Sequence, residues 1–129
     1  MISASITTGI DLVEIERFRQ LKPEILKRFY HRVFSPAELA YINHSFERAA
    51  GIFAAKEAVV KALGCGIGPV SWQEVVIEHT ANGNPSIQLG SQPTRIAHNM
   101  GIEDWSLSIS HTRDYATAIA VALVNKKEV

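Results

Sequence analysis

An α+β domain with helices packed on an antiparallel sheet is the fold class that this 129-residue sequence predicts. Three observations lead there. Alternating or β-branched runs stand near both ends of the chain, at 5–10, 105–111 and 115–124. Two further short runs, 74–79 and 86–89, flank Ala81-Asn82-Gly83-Asn84 as in a hairpin. Between the first strand and the hairpin lies a helical stretch, 53–64, that is apolar nearly all round, the mark of a helix covered on several sides.

The first strand, Ser5-Ile6-Thr7-Thr8-Gly9-Ile10, is expected to end at Asp11. A carboxylate so soon after a glycine can approach another backbone or a ligand closely, yet an Asp here serves equally as the cap of a following helix. From the residues alone the cap is the preferred reading. Residues 12–21 place Leu12, Ile15 and Phe18 at helical spacing, and Pro23 opens a second helical stretch that runs to Val33. Ser35-Pro36-Ala37-Glu38 is a capping box with proline at the first helical position, so another helix begins there. Asn43-His44-Ser45 breaks it ahead of the long helix, which Gly64 terminates as a C-cap. The glycines of Gly66-Ile67-Gly68-Pro69 could bring N–H groups to a phosphate, but no Walker pattern is present and turn geometry suffices. After the hairpin, residues 93–100 form a short helix stopped by Gly101. In 105–111, Leu107 and Ile109 point inward and three serines face the other way; a short turn leads to 115–124, a buried central strand. No repeat, linker or low-complexity tract interrupts the chain, and only 125–129 has the look of a frayed tail.

Thirteen basic and thirteen acidic side chains leave no net charge, which argues against a general nucleic-acid binder. The length fits one compact domain, 1–129, with a real core. Charge is local instead. Residues 17–32 carry Arg17, Arg19, Lys22, Lys27, Arg28 and Arg32 against Glu24 alone. Such a segment is either a solvated helix face or a docking patch for an acidic partner, where clustered positive charge speeds and orients encounter. The single cysteine, Cys65, excludes an internal disulfide framework and a multi-cysteine zinc site, and a small apolar filler is its preferred role. Residues 1–8 lack a basic region followed by an apolar one, and no stretch approaches a transmembrane span. A soluble, cytoplasmic protein without a membrane partner is expected.

Around the long helix, at about 100° per residue, Phe53, Val60 and Gly64 share one azimuth, with Glu57 and Lys61 beside them and Lys56 on the other side. Almost everything else is Ala, Val, Leu or Ile. Buried charges are costly unless paired, hydrogen-bonded or bound to a metal, so these three are expected to meet a ligand. The bland alternative is that Glu57 and Lys61, an i,i+4 pair in the favourable order, decorate a solvated face. Ala54, Ala55, Ala58 and Ala62 weigh against it, because such small residues let another element approach closely.

Three segments taken together go further: Gly9-Ile10-Asp11-Leu12-Val13-Glu14-Ile15, then Phe53-Ala54-Ala55-Lys56-Glu57-Ala58 with Lys61, and Ser108-Ile109-Ser110-His111-Thr112. In order and spacing they resemble the holo-(acyl-carrier-protein) synthases, the short 4′-phosphopantetheinyl transferases. The similarity runs over essentially the whole chain, including Arg17-Phe18 and the closing Asp114-Tyr115-Ala116. It implies the phosphopantetheinyl transferase fold and transfer of the phosphopantetheine arm of coenzyme A to a serine of an acidic acyl carrier protein, with release of adenosine 3′,5′-bisphosphate. The nucleophile then belongs to the substrate, in keeping with a chain that has no nucleophile elbow and no convincing Cys–His pair.

By the same resemblance, Asp11 and Glu57 are the two carboxylates that hold Mg²⁺ beside phosphate oxygens and water, which overturns the cap reading of Asp11. Lys61 is the lysine at the phosphates, stabilising charge on the departing bisphosphate, and Lys56 is expected to aid phosphate neutralisation. His111 corresponds to the family histidine that contacts the coenzyme A phosphates without acting as base, with Ser110 and Thr112 as supporting donors; a lone histidine at a strand end is otherwise often structural. The base for the carrier serine is left open among Glu57, Asp11 and a water on the metal.

The resemblance also implies a homotrimer working in fatty acid biosynthesis. Its active sites would lie between subunits, with Asp11, Glu57 and Lys61 from one chain and the Ser110-His111 region from the next. Arg17, Arg28 and Arg32 would receive the carrier's acidic helix. One departure stands out: the family commonly has an arginine just before the Phe-Ala-x-Lys-Glu run, where this chain has Ile52. Arg48, about one turn earlier, is expected to take over part of its role at coenzyme A. Competing with the enzyme reading are a non-catalytic coenzyme A or carrier-binding module, hinted at by Ile52 and opposed by intact Asp11, Glu57 and Lys61, and an enzyme dedicated to a specialised carrier such as one of polyketide assembly.

Overall fold

The computed structural model describes residues 2–127. Its longest pairing joins β1 (Ile2–Glu14) to β5 (Tyr115–Lys127), antiparallel from Ile2↔Lys127 to Glu14↔Tyr115. On its other side β5 pairs with β4 (Ile102–His111), so β5 is the central strand of a three-stranded sheet in the order β1-β5-β4. Alternation sorts the side chains into two faces. Val13, Leu107, Ala116, Ala118, Ala120 and Ala122 are buried on one, while Ile6, Ile10, Leu12, Ile119 and Leu123 are exposed on the other.

Two expectations about this sheet are corrected. The first strand does not end at Asp11, nor does a helix begin at Leu12: pairing with β5 continues to Glu14 and buries Val13. Helical spacing misled there because one face of β1 is apolar and exposed, so Ile10 and Leu12 add apolar residues of the opposite face to Val13 and Ile15. Helix α1 is a single turn, Glu16–Arg19. Nor is the C-terminal end a frayed tail from Asn125. Strand β5 continues to Lys127, and the Asn125 N–H donates to the Gly101 carbonyl at 2.8 Å. Glu128 and Val129 lie outside the described residues.

The helices α2 (Pro23–Val33) and α3 (Pro36–Ile42) follow their proline-opened starts. The capping box of α3 is formed in both directions, Ser35 Oγ accepting from the Glu38 N–H at 3.2 Å and Glu38 Oε1 from the Ser35 N–H at 2.8 Å. Asn43 and His44 take left-handed backbone conformations that end α3. Ser45 then caps α4 (Phe46–Leu63) by accepting from the Arg48 N–H, and Gly64, at φ 72°, closes it.

Helix α4 lies across the buried face of the sheet, and from Ala49 onward its residues are buried all round except along the strip of Phe53, Glu57 and Lys61. Its small side chains allow a very close approach. A Cβ on Gly9 would overlap the Ala58 carbonyl oxygen and stand 2.8 Å from the Ala62 nitrogen, so β1 touches the helix backbone directly. Thr7 Oγ1 donates to the Ala62 carbonyl at 2.9 Å in the same contact. Toward its N-terminal end the helix reaches β4, where Gly51 faces Ile109.

The opposite side of α4 is covered by a second, two-stranded sheet, β2 (Val75–His79) with β3 (Pro85–Leu89), the expected hairpin. A 3₁₀ turn, Trp72–Glu74, leads into β2, and α5 (Ser91–Met100) follows β3 and ends at Gly101. Phe18, Phe29, Tyr30, Phe34, Phe53 and Trp72 form a continuous aromatic cluster under α1 and α2, with centroids 5.2–6.4 Å apart. Burial there pushes the Tyr30 phenol up to about 12.

Gly9→Ala should be the most damaging small substitution on the buried face, by more than about 4 kcal/mol, since the added methyl meets backbone rather than a movable side chain. Gly51→Ala meets only Ile109 Cγ2 at 3.0 Å and should cost far less. Urea unfolding of the two variants checks the order.

Candidate active site

The crossing of β1 and α4 brings Asp11, Glu57 and Lys61 together. Asp11 is two residues beyond Gly9, on the same face of β1. Glu57 and Lys61 are one turn apart on α4 and share a face. Lys61 Nζ donates to Asp11 Oδ1 at 3.1 Å and to the Ile10 carbonyl at 2.9 Å. Glu57 is half-buried with no hydrogen-bond partner for its carboxylate among the described residues. Desolvation, then the Asp11 charge, raise its pKa, and Lys61 offsets part of this. Two facing carboxylates that one ammonium only partly neutralises are a cation-binding arrangement.

Lys56 does not belong to this cluster. It is fully buried on the other side of the helix, where Nζ reaches Glu38 Oε1 at 2.8 Å, the Trp72 carbonyl at 3.0 Å and the Val75 carbonyl at 2.6 Å. Its expected part in phosphate neutralisation is therefore corrected: an ammonium with three protein acceptors and no exposed surface cannot meet a phosphate. Burial lowers the Lys56 pKa, and the Glu38 carboxylate works against that shift. Sequence reading saw Glu38 only as a capping residue; nothing local marks it as the partner of a lysine eighteen positions later.

The residues expected at coenzyme A divide. His111 and Thr112, at the end of β4, line an open groove with Ser45, Glu47 and Arg48 from the start of α4 and with Arg113. Ser110 lies on the opposite face of β4, with Ser106 and Ser108, as strand alternation requires. Within one chain it cannot act beside His111 as a supporting donor. The Thr112 hydroxyl accepts from the N–H groups of Asp114 at 3.3 Å and Tyr115 at 3.1 Å in the β4–β5 turn and donates only weakly, to the Tyr115 carbonyl at 3.5 Å, so its proton is available to a ligand in the groove.

Arg48 is held in this groove. It donates to the Tyr41 carbonyl at 2.9 Å and lies over the Tyr41 ring, 4.8 Å from its centroid, and His79 stacks on that ring at 3.8 Å. Desolvation and then Arg48 lower the His79 pKa. Ile52, one turn further on, is 1% exposed and part of the core. Arg48 thus shares the groove with His111, while position 52 faces inward. Arg113, 93% exposed beside them, is a further cation that the sequence reading did not select.

Arg17, Arg28 and Arg32 converge from α1 and α2 on a hollow of about 470 Å³ floored by Phe18, Phe29 and Phe53. Arg19, from the same basic segment, is instead tied to Glu16 at 3.2 Å and Glu47 at 3.0 Å. The three guanidiniums rim an apolar floor, a surface suited to an acidic helix that also offers apolar side chains.

Asp11 on the sheet, Glu57 and Lys61 on the helix that crosses it, and a basic hollow beside them form a surface suited to a cation and an anionic ligand; the family comparisons are more specific. The model of the 4′-phosphopantetheinyl transferase superfamily, ACPS, matches residues 7–120. The chain is 38% identical over 122 residues to the holo-[acyl-carrier-protein] synthase of Thermoanaerobacter sp. (strain X514), covering 92% of this chain and 88% of that protein. With that of Moorella thermoacetica it shares 40% identity over 117 residues, 88% of this chain and 90% of that one. The crystal structure of Helicobacter pylori holo-[acyl-carrier-protein] synthase in complex with coenzyme A superposes with a TM-score of 0.80 at 33% identity, covering 89% of this chain and 98% of that one. The chain belongs to the holo-[acyl-carrier-protein] synthase family of 4′-phosphopantetheinyl transferases.

In the metal-free protein the Glu57 carboxyl should titrate above the ordinary value of 4.5, and Asp11→Asn should bring it partly back, both read by carboxyl ¹³C NMR. A carboxyl with a raised folded pKa binds its proton more tightly in the fold than in the unfolded chain. Its stabilising contribution is present at low pH and is lost as pH rises through the folded pKa. Glu57→Gln, neutral throughout, should therefore raise the thermal midpoint of the metal-free protein at pH 7. An unchanged or lower midpoint would mean that Lys61 compensates the ionised group fully.

Proposed function

We propose that this chain transfers the 4′-phosphopantetheine arm of coenzyme A to a serine of an apo acyl carrier protein, with Mg²⁺ at Asp11 and Glu57. The observation that carries the reading is the Asp11–Glu57–Lys61 cluster in a chain of this family. In the reaction the carrier's serine oxygen bonds to the phosphorus that bears the pantetheine, the bond from that phosphorus to the adenosine bisphosphate breaks, and the serine proton leaves. Among the described residues no group of three or more His, Cys, Asp or Glu forms a closed metal cage. Two carboxylates nevertheless fit Mg²⁺, which keeps several waters and accepts phosphate oxygens from its substrate. The ion, when bound, would draw charge from the phosphate oxygens.

The protein groups have separable tasks. Lys61, now held on Asp11, would turn its ammonium to the bisphosphate as negative charge builds on it. Asp11, Glu57 and a water on the metal, when bound, are the candidate acceptors for the serine proton. Arg17, Arg28 and Arg32 would seat the carrier's acidic helix over the hollow beside Val13 and Phe53, one turn along α4 from Glu57.

The active form we propose is a homotrimer with sites shared between chains. Asp11 sits on β1 and His111 on β4, the two outer strands of the sheet, and their Cα atoms are about 12 Å apart at ordinary strand spacing. Arg48 and Lys61 are about 20 Å apart along the helix at 1.5 Å per residue. The cation groove of one chain would therefore complete the carboxylate cluster of its neighbour. The exposed apolar face with Ile6, Ile10, Leu12, Ile119 and Leu123 supports burial against other copies. A single cytoplasmic domain serving fatty acid biosynthesis fits this reading, and no helix among the described residues is long and apolar enough to cross a membrane.

Intact-mass spectrometry of an acidic apo-carrier incubated with the protein, coenzyme A and Mg²⁺ tests the reaction. A gain of one phosphopantetheine that EDTA abolishes is expected; coenzyme A binding without any gain would leave a binding module. Arg17→Glu should raise the carrier KM at least tenfold with little change in coenzyme A affinity, and equal losses for both ligands would refute the docking assignment. Asp11→Ala and His111→Ala should each be inactive alone yet recover part of the activity when co-expressed, because mixed trimers contain one intact composite site. No recovery would place both residues in one chain's site.

A further inference from the structure

We propose that the buried Lys56–Glu38 pair is a positioning device that sets the rotation of α4 and thereby aims Glu57 and Lys61 at Asp11. The side of α4 that meets the sheet is a stripe of nearly interchangeable small residues, Gly51, Ala54, Ala55, Ala58 and Ala62. Buried side chains cover the cylinder except along the strip of Phe53, Glu57 and Lys61, so burial sets the rotation only coarsely, to within the width of that strip. On this side the Gly9 contact and the hydrogen bonds of Thr7 and Lys61 tie α4 to β1, while the small side chains interlock less deeply than large ones would.

Lys56 supplies the tie on the opposite side. Its ammonium has three acceptors on two other elements, Glu38 on α3 and the Trp72 and Val75 carbonyls at the entry to β2. Glu38 is held equally firmly, accepting from the Ser35 N–H at 2.8 Å and, through Oε2, from the Ile77 N–H at 2.8 Å. The described residues leave no buried side-chain nitrogen or oxygen without a partner. A fully satisfied buried polar cluster tolerates little displacement and is best attested as a determinant of register. Glu57 is the next residue on the helix, about 100° round from Lys56. With side-chain ends about 6 Å from the axis, a 20° turn of α4 would move its carboxylate by about 2 Å. Displacements of about 1 Å can cost a hundredfold in rate.

The turnover part of this inference rests on the transferase reading above; the positional part does not. The test uses Lys56→Met/Glu38→Gln, which removes both charges; the amide oxygen can accept from one of the Ser35 and Ile77 N–H groups, while the other N–H and the Trp72 and Val75 carbonyls lose their partners. The near-isosteric Glu38→Gln is the companion variant. Expected are folded proteins by circular dichroism, a kcat lowered tenfold to a hundredfold with carrier KM within twofold, and a weakened or doubled NMR cross-peak between the Gly9 α-protons and the Ala62 amide. That cross-peak needs no substrate, so it decides the positional claim even where no transfer is found. Parental kcat with an unchanged cross-peak in the double variant would overturn the proposal. So would loss of fold in both variants, which would make the pair a plain stability element.

Discussion

At Gly9 a strand and a helix meet with no side chain between them, and the active-site geometry is laid out from that point. The contact requires glycine on β1 and alanine on α4, and it brings the next inward-facing residue of the strand, Asp11, beside the next exposed turn of the helix, Lys61. A larger residue on either side would lift the helix from the sheet and part the two. Packing and chemistry are linked here through distance: burial and then the nearby Asp11 charge raise the proton affinity of Glu57 because the backbones are close.

The rest of α4 shows how one apolar helix can carry four of its charges to different ends. Lys56 points into the protein and is neutralised by Glu38, joining α3, α4 and β2. Glu57 and Lys61 emerge at the β1 edge, where protein partners satisfy them incompletely. Arg48 emerges at the other end, by β4, where Tyr41 and His79 hold it in place near His111. The chain has no net charge, yet its surface is divided into a carboxylate cluster, a cation groove and an arginine-rimmed hollow.

Local signals explain the parts that were legible. The capping box at Ser35, the glycine stops at Gly64 and Gly101 and the hairpin around Gly83 rest on interactions between near neighbours, and each occurs as expected; β5 is central as expected but buried on one face only, with Ile119 and Leu123 exposed on the other. Asp11, Glu57 and Lys61 were recognisable as a group through motif resemblance, and their proximity in the fold agrees. Failures came where partners are distant. The extension of β1 beyond Asp11 depends on Thr117 and Tyr115, more than a hundred residues later. The alternation of β4, read correctly for its serines, already separated Ser110 from His111, although the motif suggested a single cluster.

The residues of this chain therefore settle where helices begin and stop, which runs become strands, and which side chains carry charge within apolar surroundings, because those depend on backbone sterics and on periodicity. They leave open the destination of each charge. Glu57 and Lys56 are adjacent, opposite in charge and similarly placed in the motif, yet one is bonded away inside the protein and the other faces the site. That difference arises from the 100° between them on the helix and from what α3, β1 and β2 bring to each side, which long-range packing alone supplies.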